Sequence, residues 1–187
     1  LQQGLTRLWR QDRFCDVRIQ VPCAGGGVGG VEVKAHRCVL AALSDPLDRM
    51  LLGRMATVTA EGVLRLPELD PSTVQSVVEY LYTGQLELTE ENAFGMLASC
   101  SFLGLGRAKS LCAEFLAQQL TSENALSMIE AAGRFTCEEL QAESVAHVQK
   151  SFEEVSRGEE WSDLSADNVG SWLRQDELRV DSEVTVV

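Results

Sequence analysis

Between Phe14 and Leu52 the hydrophobic pattern changes period. Cys15, Val17, Ile19 and Val21 alternate with Asp16, Arg18 and Gln20, the period of a half-buried strand, and Val31-Glu32-Val33-Lys34 repeats it after a glycine run. From Cys38 the residues Val39, Leu40, Ala42 and Leu43 form a nearly continuous apolar run of good helix formers, punctuated by Asp45-Pro46. Asp before Pro supplies an N-cap and a preset φ, so a second helix is expected there, with Leu47, Met50 and Leu51 inward. The pattern predicts two short strands, joined by a flexible loop, feeding a buried helical hairpin.

Ahead of it, Leu1, Leu5, Leu8 and Trp9 share one face at helical spacing. Such a lone leading helix must pack on its own domain or on another chain. After it, Met55 to Glu61 is polar and irregular, Val63-Leu64-Arg65-Leu66 reads as a short strand, and Asp70-Pro71 opens a capped helix with Val74, Val77, Val78 and Leu81 inward. Gly84 ends it. Thr89 caps the next, with Phe94, Leu97, Ala98 and Phe102 inward; Gly104 and Gly106 break it before a helix carrying Ala108, Leu111, Cys112, Phe115 and Leu116. A boundary is expected at Thr121-Ser122. Beyond it Leu126 and Ile129 mark one helix, and Thr136 with Glu139 reads as a capping box for another, carrying Leu140, Val145 and Val148.

Charge changes the picture in one respect. The net charge of −12 is divided as −2 through Thr121 and −10 from Ser122 onward. An acidic half argues against nucleic acid, which needs basic surface to meet phosphate. Otherwise 45% hydrophobic and 24% charged residues describe an ordinary soluble globular chain, with no apolar run near the roughly 20 residues of a membrane span. It reads as an excised, soluble, intracellular fragment.

Candidate chemistry is sparse. The six cysteines include no C-x-x-C pair and only two histidines exist, so no metal-ligand spacing arises and reduced surroundings fit. Cys23, beside the glycine run, is the thiol expected to be most exposed. Gly25-Gly26-Gly27-Val28-Gly29-Gly30 formally satisfies G-x-G-x-x-G, but a strand pattern follows it, so no helix N-terminus meets a pyrophosphate. Adjacent acids such as Glu138-Glu139 and Glu153-Glu154 diverge on helices and form no dyad. No catalytic residue, cofactor site or metal site is expected, and the chain reads as a non-enzyme.

The stretches FCDV and AHRCVLAALSDPLDRML resemble the signature of BTB (POZ) domains. YLYTGQLELTEENAFGMLASCSFLGL and LCAEFLAQQLTSENALSMIEAAGRF are similar to the rest of a BTB domain and a following BACK domain, as in kelch-like proteins. The resemblance implies an α+β fold: a BTB/POZ domain over residues 1–121, a small sheet wrapped in helices, followed by an all-α partial BACK domain over 122–187. It further implies a homodimer through Leu5, Leu8 and Trp9 and a buried structural ion pair between Asp16 and Arg37; His36, polar beside an apolar run, reads as a satisfied, partly buried imidazole.

By the same resemblance the chain is the BTB-BACK portion of a substrate adaptor that docks the cullin-3 N-terminal domain in a ubiquitin ligase, with protein substrates bound outside this chain, no nucleic acid or membrane as partner, and residence in the cytoplasm rather than the nucleus. The implied cullin contacts are Met55, Thr57, Tyr82, Leu103 and Phe115, with Asn124 and Met128 nearby. For Leu103 and Phe115 ordinary core packing stands as an equal alternative. One departure matters: the family has hydrophobic-x-Glu in the contact loop, and this chain has Met55-Ala56-Thr57. The rival reading is a cullin-independent BTB dimerisation scaffold serving cytoskeletal organisation or transcriptional regulation.

Overall fold

The computed structural model describes residues 1–22, 30–52 and 57–162, with Val169 and Trp172. They gather into two compact units, Leu1–Cys112 and Ala113–Val187.

The first unit is built on a three-stranded sheet. Strands β1 (Val17–Pro22) and β2 (Gly30–Ala35) pair antiparallel with Ile19 opposite Val33, and β3 (Val63–Arg65) lies parallel to β1, giving the order β2-β1-β3. The predicted alternation holds: Val17, Ile19, Val21, Val33, Ala35 and Leu64 are buried. Burial of each large aliphatic side chain contributes roughly 1.5–3 kcal/mol. The hairpin loop, residues 23–29, lies outside the described residues, and Cys23 with it.

Helix α1 (Gln2–Arg10) leads into the sheet, and α2 (Arg37–Leu43), α3 (Asp45–Leu52), α4 (Val74–Thr83), α5 (Ala93–Phe102) and α6 (Gly106–Gln118) follow. The α2–α3 hairpin turns on Ser44 rather than Asp45. The buried Ser44 hydroxyl accepts from Leu47 N at 3.2 Å, capping α3, and donates to Leu103 O at 2.7 Å. Helix α4 buries the predicted Val74, Val77, Val78 and Leu81, together with Tyr82, and ends on Gly84 at φ 69°.

The predicted inward stripe of α5 needs correction. Ala93, Met96, Leu97 and Cys100 are buried, Phe94 is exposed, and Ala98 and Phe102 are half-buried. The segment AFGMLASCSF is apolar nearly all round, so helical period alone does not select its buried face. In α6 the buried row is Ala108, Cys112, Ala113 and Leu116, while Leu111 is exposed.

In the second unit, α7 (Ala125–Arg134), α8 (Glu138–Lys150), α9 (Phe152–Val155) and α10 (Glu159–Ser162) surround a core of Ala125, Leu126, Val148, Phe152, Val155 and Trp172. The Thr136–Glu139 capping box does not form: Cys137 is the N-cap, and Thr136 sits at φ 54°.

That φ exposes an internal repeat. Helices α5 and α6 recur as α7 and α8 with identical lengths at an offset of 32 residues. The sequence LTEENAFGML (88–97) returns as LTSENALSMI (120–129). Both copies close their opening turn in one way: Thr89 N donates to Asn92 Oδ1 at 2.9 Å, and Thr121 N to Asn124 Oδ1 at 2.8 Å. Both first helices end in a Schellman motif with Gly104 or Thr136 left-handed, marked by Leu105 N→Cys100 O at 2.9 Å and Cys137 N→Ala132 O at 2.8 Å. A further copy of the pattern, LSADNVGSWL, stands at 164–173; of it Val169 and Trp172 are described, both helical.

Candidate functional site

The most elaborate polar arrangement of the first unit seats the leading helix on its own chain. Trp9 is 7% exposed and stacks on Tyr82 with ring centroids 4.7 Å apart and planes 5° off parallel. Its indole N–H donates to Lys34 O at 2.8 Å, and Thr6 Oγ1 donates to Tyr82 O at 2.9 Å. A Schellman closure follows, with Asp12 left-handed at φ 53° and Arg13 N donating to Leu8 O at 2.9 Å. Lys34–Asp12 and Arg10–Glu79, each 2.7 Å, are exposed ion pairs around the seat.

His36 completes it. Its Nε2 lies 2.8 Å from the Arg13 carbonyl, which can only accept, so Nε2 carries the proton and Nδ1 is bare. The Tyr82 hydroxyl therefore donates to Nδ1 at 2.8 Å while accepting from His36 N–H at 2.9 Å. The buried imidazole is satisfied on both nitrogens. Burial pushes the Tyr82 phenol up to about 12. Cys15 Sγ lies 3.9 Å from Nε2, but burial, then Asp12, pushes that thiol up, away from a reactive thiolate. The arrangement holds a helix in place; it does not activate a nucleophile.

Of the residues expected at a dimer interface, Trp9 is buried in its own chain, and Leu5 and Leu8 are half-buried. The expected Asp16–Arg37 ion pair is replaced by something else. Asp16 is exposed, its Oδ1 accepts from Arg37 N–H at 2.8 Å, and the guanidinium turns to the Asp16 backbone carbonyl, Nε to O 3.3 Å. The reason is local: α2 opens on His36, whose side chain gives no cap, so the carboxylate satisfies the first helical N–H and meets the positive end of the helix dipole.

Among the expected cullin contacts, Met55 lies outside the described residues. Thr57 is exposed, its N–H bonded to Met50 O at 3.0 Å. Tyr82 and Leu103, each 2% exposed, are core residues of the first unit and present no surface; Phe115 is half-buried. Asn124 holds its turn through Nδ2→Gln119 O at 2.8 Å, and Met128 is buried. The inward place of Tyr82 was available in the sequence, since it follows Val78 by four on the α4 stripe. Leu52, 65% exposed at the end of α3, was missed because a helix-end leucine reads as core.

Cys15, Cys38, Cys100 and Cys112 are free thiols, with Cys38 on the surface. Among the described residues no group of three His, Cys, Asp or Glu side chains converges as a metal site, and no helix is long and apolar enough to cross a membrane.

A small mixed sheet with a helix seated on it, followed by repeated helical hairpins, is an arrangement that the family matches place among BTB-mediated protein-interaction modules. Residues 5–120 match the BTB/POZ domain, and residues 125–187 match the BACK (BTB And C-terminal Kelch) domain. Mouse Kelch-like protein 3 is 37% identical over 173 residues, covering 92% of this chain and 28% of that protein. Human Kelch-like protein 3 is 34% identical over 182 residues, 97% of this chain and 30% of the relative; human Kelch-like protein 2 is 32% identical over 182 residues, 97% and 29%. The chain belongs to the BTB/POZ family, as the BTB-BACK region of a kelch-like protein. It spans at most about 30% of the length of the curated relatives cited here.

Proposed function

We propose that this region is the dimerising, cullin-3-docking part of a non-catalytic ubiquitin-ligase adaptor, with its domain boundary at Thr121-Ser122 and its substrates held elsewhere in the protein. The mechanism is proximity: a dimer presents two ligase arms and two substrate-binding parts together, which raises effective concentration. The observation that carries the docking half is the surface flanking residues 53–56. Leu52 stands 65% exposed on one side and Thr57 is exposed on the other, an apolar anchor beside a polar one at the place where the family pattern puts its contact loop. Tyr82 and Leu103 act from within, shaping that unit rather than touching a partner. For the dimer, the support is the apolar surface left once Trp9 is seated: Leu5 and Leu8 remain half-buried, while Leu1, Phe14 and Leu43 are 104%, 74% and 49% exposed. Titration of the purified chain with the cullin-3 N-terminal domain, alongside sedimentation, tests both halves. A complex and a dimer mass support the proposal; a monomer removes the dimer, and absence of a complex removes the ligase role.

A second reading is favoured by one observation. Thr57 offers a neutral hydroxyl where the family motif has a carboxylate. A cullin-independent scaffold would keep the dimer and lose the complex, so the same titration separates the two.

A further inference from the structure

The repeat provides its own internal comparison. Burial agrees at about two thirds of the pairs of positions 32 apart, with Ala93/Ala125, Met96/Met128, Ala108/Leu140, Cys112/Ser144 and Leu116/Val148 all inside. Other pairs differ by one step, as Leu97/Ile129 and Leu103/Phe135 do, whereas Phe94, 39% exposed, against Leu126, 9% exposed, passes from surface to core. Leu126 is covered by the chain itself, clustering with Phe152 and Val155 of α9. Helix α9 is also tied to the opening turn of its repeat, since Ser122 Oγ donates to Glu154 Oε2 at 2.8 Å. In the first copy the position of Ser122 is held by Glu90. The anchor is thus enlarged from Leu to Phe and left 39% exposed, and its polar neighbour is changed from a hydroxyl that holds a carboxylate to a carboxylate that would hold a cation.

We propose that Phe94 and Glu90 form a docking site for a short amphipathic helix of a partner protein, with two apolar residues three apart, as Phe152 and Val155 are, and a Lys or Arg where α9 carries Glu154. Three carboxylates are placed near Phe94 by sequence and packing. Glu91 lies in the turn that opens α5, three residues before Phe94, and the Asp70 side chain lies against Gly95, its Oδ2 3.2 Å from where a Cβ would stand. None of Asp70, Glu90 and Glu91 takes part in an ion pair among the described residues. Side chains on a helix cover the turn N-terminal to their own Cα, which brings the Phe94 ring toward Glu90 and Glu91.

The probe is a stapled helical peptide of residues 149–157 carrying Glu153→Lys and Glu154→Lys, with the unaltered stapled peptide as the charge control. Fluorescence anisotropy with the purified chain is expected to give at least tenfold tighter binding for the lysine peptide. Phe94→Asp should abolish that difference, and Glu90→Gln should reduce the affinity severalfold and flatten its salt dependence. Thermal melts of both variants beside the parent, with binding read well below each midpoint, separate lost docking from lost folding. Equal affinity of the two peptides, no measurable binding of either, or a lysine peptide that binds Phe94→Asp unchanged would overturn the site. So would a shift of Phe94→Asp alone to a smaller sedimenting species, since the face would then be occupied by a second copy.

Discussion

Replacing Tyr82 by Phe removes one oxygen and leaves the stack on Trp9 in place. That oxygen accepts the His36 backbone N–H at 2.9 Å and donates to His36 Nδ1 at 2.8 Å, so two buried polar groups lose their partner together. Each such orphan costs about 1–3 kcal/mol, and the pair should cost roughly 2–4 kcal/mol. For a chain of this size one kcal/mol corresponds to about 2–4 °C, placing the fall in Tm at about 5–15 °C. Thermal melts by circular dichroism measure it, with Tyr80→Phe, half-buried on the same helix, as the control expected to stay within about 0.5 kcal/mol of the parent. A pH arm tests the same oxygen. Burial raises Tyr82 from 10.0 in the unfolded chain to about 12 in the fold. The folded state holds that proton more tightly, so the group's contribution is complete below pH 10 and is lost as pH rises through about 12. The parent should therefore lose stability between those values more steeply than Tyr82→Phe. A Tyr82→Phe protein that melts with the parent would refute the reasoning, because it would mean His36 finds other partners at no cost.

Asp16→Ala removes the cap on α2 and should cost about 1 kcal/mol, not the roughly 3–5 of a broken buried ion pair; chemical denaturation distinguishes the two. Asn92→Ala and Asn124→Ala break equivalent turns, and each should lower stability by about 1 kcal/mol in urea melts, with additive effects in the double variant because the sites share no partner. Thr57→Glu should tighten cullin-3 binding by about five- to thirtyfold, the 1–2 kcal/mol separating charged from neutral hydrogen bonds, as read by calorimetry. Leu8→Asp should give a folded monomer in sedimentation, whereas Trp9→Ala should destabilise the chain itself by about 3–5 kcal/mol.

The sheet and α4 were legible in the sequence because their patterns are unambiguous: strict alternation in β1, and a Val74–Val77–Val78–Leu81 stripe with a glycine stop. Helix α5 was not, because a segment apolar on every side fits more than one frame, and the frame that puts Phe94 inward is as periodic as the one the fold adopts. Asp16 and Arg37 were misassigned for a different reason. Which atom of a carboxylate's neighbour receives it depends on the helix end opposite, and an uncapped N–H leaves no mark in the sequence. The repeat, by contrast, was written out in L-T-x-E-N-A-x-x-M, and comparing the chain with itself would have found it. For the candidate surfaces residue types are legible and exposure is not: Tyr82 and Leu103 fit a contact pattern by type and are each only 2% exposed.

The division of labour on the leading helix follows from what holds it. Arg10–Glu79 and Lys34–Asp12 are exposed pairs, worth little individually and weakened by salt. The buried Trp9 ring, its stack on Tyr82 and its bond to Lys34 O are insensitive to salt and cannot be exchanged for water without loss. One face of α1 is therefore fixed within the chain before any partner arrives, and Leu5 and Leu8 are carried on a helix already ordered. A second copy meeting Leu5 and Leu8 would not have to order the helix, so the entropy of ordering nine residues is absent from the cost of association. That is why the same helix should respond in two ways to mutation. Trp9→Ala acts on the fold and weakens any dimer as a consequence, while Leu8→Asp acts on the dimer alone. If Leu8→Asp instead unfolds the chain as far as Trp9→Ala does, both faces of α1 are spent on its own unit and the helix is not free to meet another.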